Sequence, residues 1–118
     1  ALLQDKPSDF LVISGDDDLA LGVVLAGGSG VISVIGQAFP KQFSAMINHG
    51  LQGNNNEGYA IHYKMMDLVT SIFEENNPAG IKSVLQELDI CRNDVRLPLV
   101  KASSALTSKI SQLVANFS

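Results

Sequence analysis

The residues best suited by type to do chemistry fall in a few short stretches. Ser14-Gly15-Asp16-Asp17-Asp18 sets carboxylates in succession, an arrangement that serves either as oxygen ligands for a cation or as the N-cap and negative first turn of a helix. On a strand-to-helix turn, consecutive aspartates are cap and dipole partners more often than ligands, and they are read so here. Gly27-Gly28-Ser29-Gly30 has the composition of a phosphate cradle. It follows a helical pattern and precedes a strand, the reverse of the order that aims backbone amides at an anion from a helix N-terminus. Asn77 precedes Pro78, which pushes it toward an extended backbone and leaves its amide free to cap the next helix. His49 and His62 have no carboxylate or thiol at ligand spacing, and Tyr59, Tyr63, Met65 and Met66 recur at helical spacing, so both sets read as packing or surface. No metal site is expected.

The elements that must position these residues begin with Phe10-Leu11-Val12-Ile13, an apolar run rich in branched side chains and without polar alternation. Such a run predicts a parallel strand, Phe10 to Ser14, covered on both faces. Asp16 to Asp18 then cap a helix over Leu19 to Ala26, Gly27-Gly28 ends it, and a second buried strand follows at Val31 to Val34. The result is a βαβ unit. Ligands meet such units at the carboxyl ends of the strands, which marks Gly15, Asp16 and the residues from Ile32 to Gly36 as the rim of interest. By composition Ile32 itself reads as core.

Beyond this unit the pattern is helical. Pro40 suits the first turn of a helix reaching about Asn48, with Phe43, Met46 and Ile47 on one side and Gly50 as its stop. Gly53 to Asn56 reads as a turn, and a long helix starts at Glu57, its apolar residues from Ile61 to Phe73 three or four apart. Pro78 opens a helix carrying Ile81, Val84, Leu85 and Leu88, and Arg96-Leu97-Pro98 breaks the chain before a last helix from Ser103 or Ser104 to about Asn116. No internal repeat or low-complexity segment is present.

With 118 residues, 46% of them hydrophobic, the chain can bury one modest core. A net charge of −4 and a pI near 4.9, with basic residues scattered singly, argue against a nucleic-acid surface. No apolar run approaches the roughly 20 residues of a membrane span, and no leader pattern is seen, so a cytoplasmic protein is expected and Ala1 reads as a cut. Cys91 is the lone cysteine. It is consistent with a reducing compartment and is expected to pack near a helix end.

Ser14-Gly15-Asp16-Asp17, Gly27-Gly28-Ser29-Gly30-Val31-Ile32-Ser33-Val34, Asn77-Pro78 and Arg96-Leu97-Pro98 occur in the order and spacing found near the end of dihydrodipicolinate synthases, and the chain resembles that family over nearly its whole length. The family belongs to the pyruvate-dependent class I aldolases. The resemblance implies an α/β fold: the C-terminal part of a (β/α)8 TIM barrel, with its last two parallel strands, followed by a C-terminal helical extension, so that the piece is mostly α. It places the end of the barrel at 1–50 and the extension at 51–118, one structural unit that is incomplete without an N-terminal part, since a whole barrel takes roughly 250 residues.

The resemblance also implies the chemistry. The parent would be a lyase of the diaminopimelate and lysine route that condenses pyruvate with aspartate semialdehyde, using no metal or organic cofactor, and would assemble as a dimer or tetramer. Gly15 and Asp16 would line the semialdehyde side of the pocket, Ile32 would lie beside pyruvate through its main chain, and Asn77 would add a polar contact to substrate. Asn76 departs from the family, where a proline is expected. By the family's spacing the Schiff-base lysine would fall shortly before Ala1, and none of Lys6, Lys41, Lys64, Lys82, Lys101 or Lys109 follows a strand pattern that would make it a substitute. No catalytic residue is therefore expected within the chain, and the piece alone should be inactive. Two alternatives stand beside this reading: an N-acetylneuraminate lyase or other sugar-acid aldolase of the same superfamily, and a non-catalytic helical interaction module.

Overall fold

The apolar run that predicts the first strand yields only a short one, because a strand lasts as long as its partner. In the computed structural model, which describes residues 2–117, β1 (Ile13–Ser14) pairs in parallel with β2 (Gly30–Val31), Ile13 opposite Gly30 and Ser14 opposite Val31. Ser29 N–H donates to Val12 C=O at 2.7 Å, and Ile32 N–H to Ser14 C=O at 2.9 Å. Ala1, read above as a cut, lies outside the described residues. Between the strands runs α1 (Ala20–Leu25), and after them come a 3-10 turn (Ile35–Gln37), α2 (Pro40–Leu51), α3 (Asn55–Phe73), α4 (Ala79–Glu87) and α5 (Ser104–Phe117). The expected βαβ unit and the mostly helical remainder are both present.

The chain divides into two compact units, Ala1–Tyr63 and Lys64–Ser118, the division falling within α3. In the first, α1 packs on α2, and Leu21, Val24, Phe43, Met46 and Ile47 are buried. Burial of both faces of β1 does not occur: Phe10, Leu11 and Ile13 are exposed, and Ile32, read as core, is 76% exposed. A two-stranded sheet with one helix against it covers one face only, and the other apolar face is left to solvent.

α1 ends as Gly27-Gly28 predicts. Gly27 adopts φ +106, its N–H donates to Val24 C=O, and Gly28 N–H reaches back to Val23 C=O at 2.8 Å, which closes a Schellman motif. Gly50 does not stop α2. It lies buried inside that helix, where a Cβ would come within 2.9 Å of Leu21 Cδ1, and the stop falls at Gly53, with φ +74. The residues read as a turn at Asn55 and Asn56 already belong to α3, since Asn54 N–H closes the end of α2 on His49 C=O and the next helix starts at once.

In the second unit the C-terminal part of α3 contributes Met65, Leu68, Val69 and Ile72 to a core shared with Ile81 and Val84 of α4 and Leu106, Ile110 and Val114 of α5. α5 begins where its sequence predicts. Ser103 Oγ accepts from Leu106 N–H at 3.1 Å as its cap and donates to Glu75, and Lys109 pairs with Glu74 at 2.6 Å, so the acidic end of α3 holds the first turns of α5.

Candidate functional site

Parallel strands bring their carboxyl ends to one edge, and the loops that follow β1 and β2 meet there. After β1, Ser14 Oγ donates to Asp16 C=O at 3.0 Å and accepts from Asp16 N–H at 3.2 Å, which folds Gly15 and Asp16 into a tight turn with both residues exposed. After β2, Ile32 stands exposed with its N–H held by Ser14 C=O. Gly15, Asp16 and Ile32 are thus gathered at one rim, as their positions after the strands predict.

The aspartates do not cap α1. The N-cap of that helix is Leu19, with no side-chain cap bond. Asp17 turns inward instead, is 3% exposed, and accepts from Val34 N–H at 3.1 Å and from Ile35 N–H at 2.8 Å. The Asp17 carboxylate also explains why β2 stops short of Val34. The Val34 amide, which would have continued the ladder, is taken by the carboxylate together with that of Ile35, and the chain bends into the 3-10 turn, where Ser33 Oγ accepts from Gly36 N–H at 2.8 Å. Sequence reading missed this role because the bond joins residues far apart in the chain and no local pattern announces it.

Asp18 is exposed. It lies within electrostatic reach of His62, where burial holds the imidazole below its ordinary pKa and the Asp18 charge opposes that shift. His62 also packs edge-on against Tyr59 and Tyr63, whose rings stack at 5.5 Å, in keeping with the packing role read for these residues. Among the described residues no cluster of His, Cys, Asp and Glu is arranged to hold a metal ion, and no helix is long and apolar enough to cross a membrane.

Asn77 belongs to the second unit. It does not cap α4. The N-cap is Pro78, without a side-chain bond, and the Asn77-Pro78 peptide is cis. Asn77 is exposed and lines a small cavity with Asn76, Pro78, Pro98 and Leu99. Asn76, where the family was expected to carry proline, has φ +110, a value proline cannot adopt. Cys91 is exposed rather than packed, in the loop after α4 beside Arg92 and Asp94.

The lysines stand away from the strands. Lys6 donates to Phe10 C=O at 3.0 Å, Lys41, Lys64, Lys82 and Lys109 lie on helices, and Lys101 pairs with Asp94 at 2.7 Å.

A sequence model described as the dihydrodipicolinate synthetase family matches residues 1–116. The 4-hydroxy-tetrahydrodipicolinate synthase of Flavobacterium psychrophilum is 51% identical over 109 residues, which are 92% of this chain and 37% of that protein. The enzyme of the same name from Methanococcus aeolicus is 43% identical over 93 residues, 79% of this chain and 32% of its own length. Among solved structures, dihydrodipicolinate synthase from Aquifex aeolicus superposes with a TM-score of 0.93 at 31% identity, covering 98% of this chain and 40% of that one. The chain therefore spans 32–40% of the length of these relatives. A family match that runs over residues 1–116, joined to 51% identity over 92% of the chain and a shared fold, makes this chain a member of the dihydrodipicolinate synthetase family.

Proposed function

We propose that the chain supplies part of the substrate pocket of a 4-hydroxy-tetrahydrodipicolinate synthase, a lyase of diaminopimelate and lysine biosynthesis that condenses pyruvate with aspartate semialdehyde. The observation that carries this reading is the convergence of Gly15, Asp16 and Ile32 at the carboxyl ends of β1 and β2, the edge where barrel enzymes build their sites. Gly15 and Asp16 line the semialdehyde side, Ile32 offers its main chain to pyruvate, and the exposed, uncapped amide of Asn77 is a polar contact to the semialdehyde. Residues 1–50 act as the end of the barrel and 51–118 as a helical extension.

The nucleophile of this reading is a lysine on a strand outside the 118 residues. The amine condenses with the ketone of pyruvate and releases water, and the resulting iminium withdraws electrons well enough for a methyl proton to leave and an enamine to form. The enamine carbon then bonds to the aldehyde carbon as the C=O π bond opens, its oxygen takes a proton, the iminium is regenerated, and attack of water or of the product's own amine on that iminium frees the lysine. The placement of every lysine in this chain away from β1 and β2 supports that assignment. Neither a metal nor an organic cofactor is required. The parent is expected to self-associate as a dimer or tetramer.

The test is a complete enzyme carrying this chain, given pyruvate and borohydride. One covalent adduct is expected, outside these residues, together with condensation activity on aspartate semialdehyde. An adduct on Lys6, Lys41, Lys64, Lys82, Lys101 or Lys109 overturns the assignment of the nucleophile. Preference for N-acetylmannosamine as the aldehyde selects the sugar-acid lyase instead, and absence of any adduct selects a non-catalytic module. Replacing Asn77 with Ala should raise the KM for aspartate semialdehyde more than that for pyruvate, by an interaction of about 1–3 kcal/mol if one hydrogen bond to a charged group is lost. Equal effects on both KM values would remove Asn77 from the site.

A further inference from the structure

Asp17 is the only carboxylate buried among the described residues, and its surroundings explain how it is tolerated but not what it is for. A carboxylate withdrawn from water needs donors, and the Val34 and Ile35 amides supply them. Those amides open the 3-10 turn Ile35–Gln37, which resembles a capped turn with its cap borrowed from another loop. Yet the turn has a local partner of its own, because Ser33 Oγ already accepts from Gly36 N–H. Capping alone would not call for a buried charge from the far side of a βαβ crossover.

What the bond does add is a fixed spacing between two segments. The residues just before Asp17 are Gly15 and Asp16, themselves held by Ser14. The residue two before Val34 is Ile32, whose N–H is held by Ser14 C=O. Ile32 is therefore tethered on one side by the β1 backbone and on the other, through Val34 and Ile35, by the Asp17 carboxylate. Its side chain meanwhile makes little contact, as its 76% exposure shows. Main-chain geometry at such a position depends on its tethers and not on packing.

We propose that Asp17 is a positioning residue. It sets the Ile32 main chain, the pyruvate side of the pocket, at a fixed separation from Gly15 and Asp16 on the semialdehyde side, without touching either substrate. This rests on the reading given under the proposed function. An amide in place of the carboxylate keeps the shape but turns one oxygen acceptor into a donor facing backbone N–H groups, so the clamp loosens on the Val34–Ile35 side.

The experiment uses the complete enzyme with Asp17→Asn, Asp17→Glu and Ser33→Ala, and reads thermal stability, hydrogen exchange at the Val34 and Ile35 amides, and KM and kcat for both substrates. For Asp17→Asn, faster exchange at those amides is expected, with the KM for pyruvate raised about tenfold and that for aspartate semialdehyde by less than about threefold. Asp17→Glu, which keeps the charge, should fall between Asp17→Asn and the wild type, and it provides the same readout if the amide variant does not fold. Ser33→Ala removes the local bond alone and should leave the KM for pyruvate within about twofold. Faster exchange with an unmoved pyruvate KM, equal rises in both KM values, or a rise in Ser33→Ala as large as in Asp17→Asn each overturn the inference, because each describes an ordinary structural contact. Lack of condensation by the wild-type enzyme defeats the underlying functional reading and this inference with it. Normal wild-type kinetics with an unchanged Asp17→Asn defeat the inference alone.

Discussion

Each unit of the molecule brings two helices together over a glycine, and the two contacts differ in what lies opposite. In the first unit Gly50 of α2 faces α1, and a Cβ there would meet the tips of side chains, Leu21 Cδ1 at 2.9 Å and Val24 Cγ1 at 3.1 Å. In the second unit Gly80, near the start of α4, faces the backbone of α3, and a Cβ would fall on the Ile72 carbonyl oxygen and within 2.5 Å of its Cα. A leucine methyl can rotate aside, whereas a helix backbone moves only as a whole. Two glycines that look alike in sequence therefore carry different constraints.

The contrast predicts its own largest test. Gly80→Ala should destabilise the chain by about 3 kcal/mol, since the clash is relieved only by separating α4 from α3. Denaturant titration measures it, and a loss under about 1 kcal/mol would mean that the helices move apart freely and that the close approach is not a packing requirement.

Gly50→Ala should be far milder. Replacing glycine inside a helix gains about 1 kcal/mol in propensity, which the displacement of Leu21 and Val24 consumes, so the net change should lie within about 1 kcal/mol of zero. A loss as large as that of Gly80→Ala would erase the distinction between side-chain and backbone neighbours.

The smallest expected effect concerns carboxylates, where the same two units differ again. Asp17 is buried on backbone amides, while Glu75 and Asp94 of the second unit are exposed. The Ser103 hydroxyl, and then its N–H, hold the Glu75 carboxyl below its usual range, and Lys101 does the same for Asp94 with a lesser contribution from Arg92. A lowered folded pKa stabilises the fold above the ordinary value, 4.5 for Glu75 and 3.8 for Asp94, and that contribution is lost as the pH falls through the folded values. The gap in Tm between wild type and the double variant Glu75→Gln, Asp94→Asn should therefore be positive near neutrality and shrink toward acid. Added salt should reduce the Asp94 part more than the Glu75 part, whose donors are uncharged. A gap that widens toward acid would reverse the sign of the linkage.

Much of the architecture was readable because it depends on neighbours in sequence. The stop at Gly27-Gly28, the start of α2 at Pro40, the break at Pro78 and the start of α5 beside Ser103 follow from backbone conformations that glycine permits or proline imposes, and from a hydroxyl that reaches its own helix. The helical faces of α3 and α4 follow from apolar spacing, since Met65, Leu68, Val69, Ile72, Ile81 and Val84 are all buried. The position of Gly15, Asp16 and Ile32 at one rim follows from the connectivity of a parallel strand pair.

The readings that failed concern partners distant in sequence. Hydrophobicity marked Phe10, Leu11 and Ile32 as interior, but burial requires something to lie against, and these residues are exposed. Gly50 has the composition of a stop and is instead a contact, decided by Leu21 and Val24 of another helix. Asp17 has the composition of an N-cap, and only the fold brings the Val34 and Ile35 amides within 3.1 and 2.8 Å of it. The sequence by itself determined where the chain turns and which helix faces are apolar, because those depend on the covalent and rotameric limits of single residues. The tertiary structure decided which polar group meets which and which apolar face is covered, because hydrogen bonds and burial belong to pairs that the chain brings together only when folded.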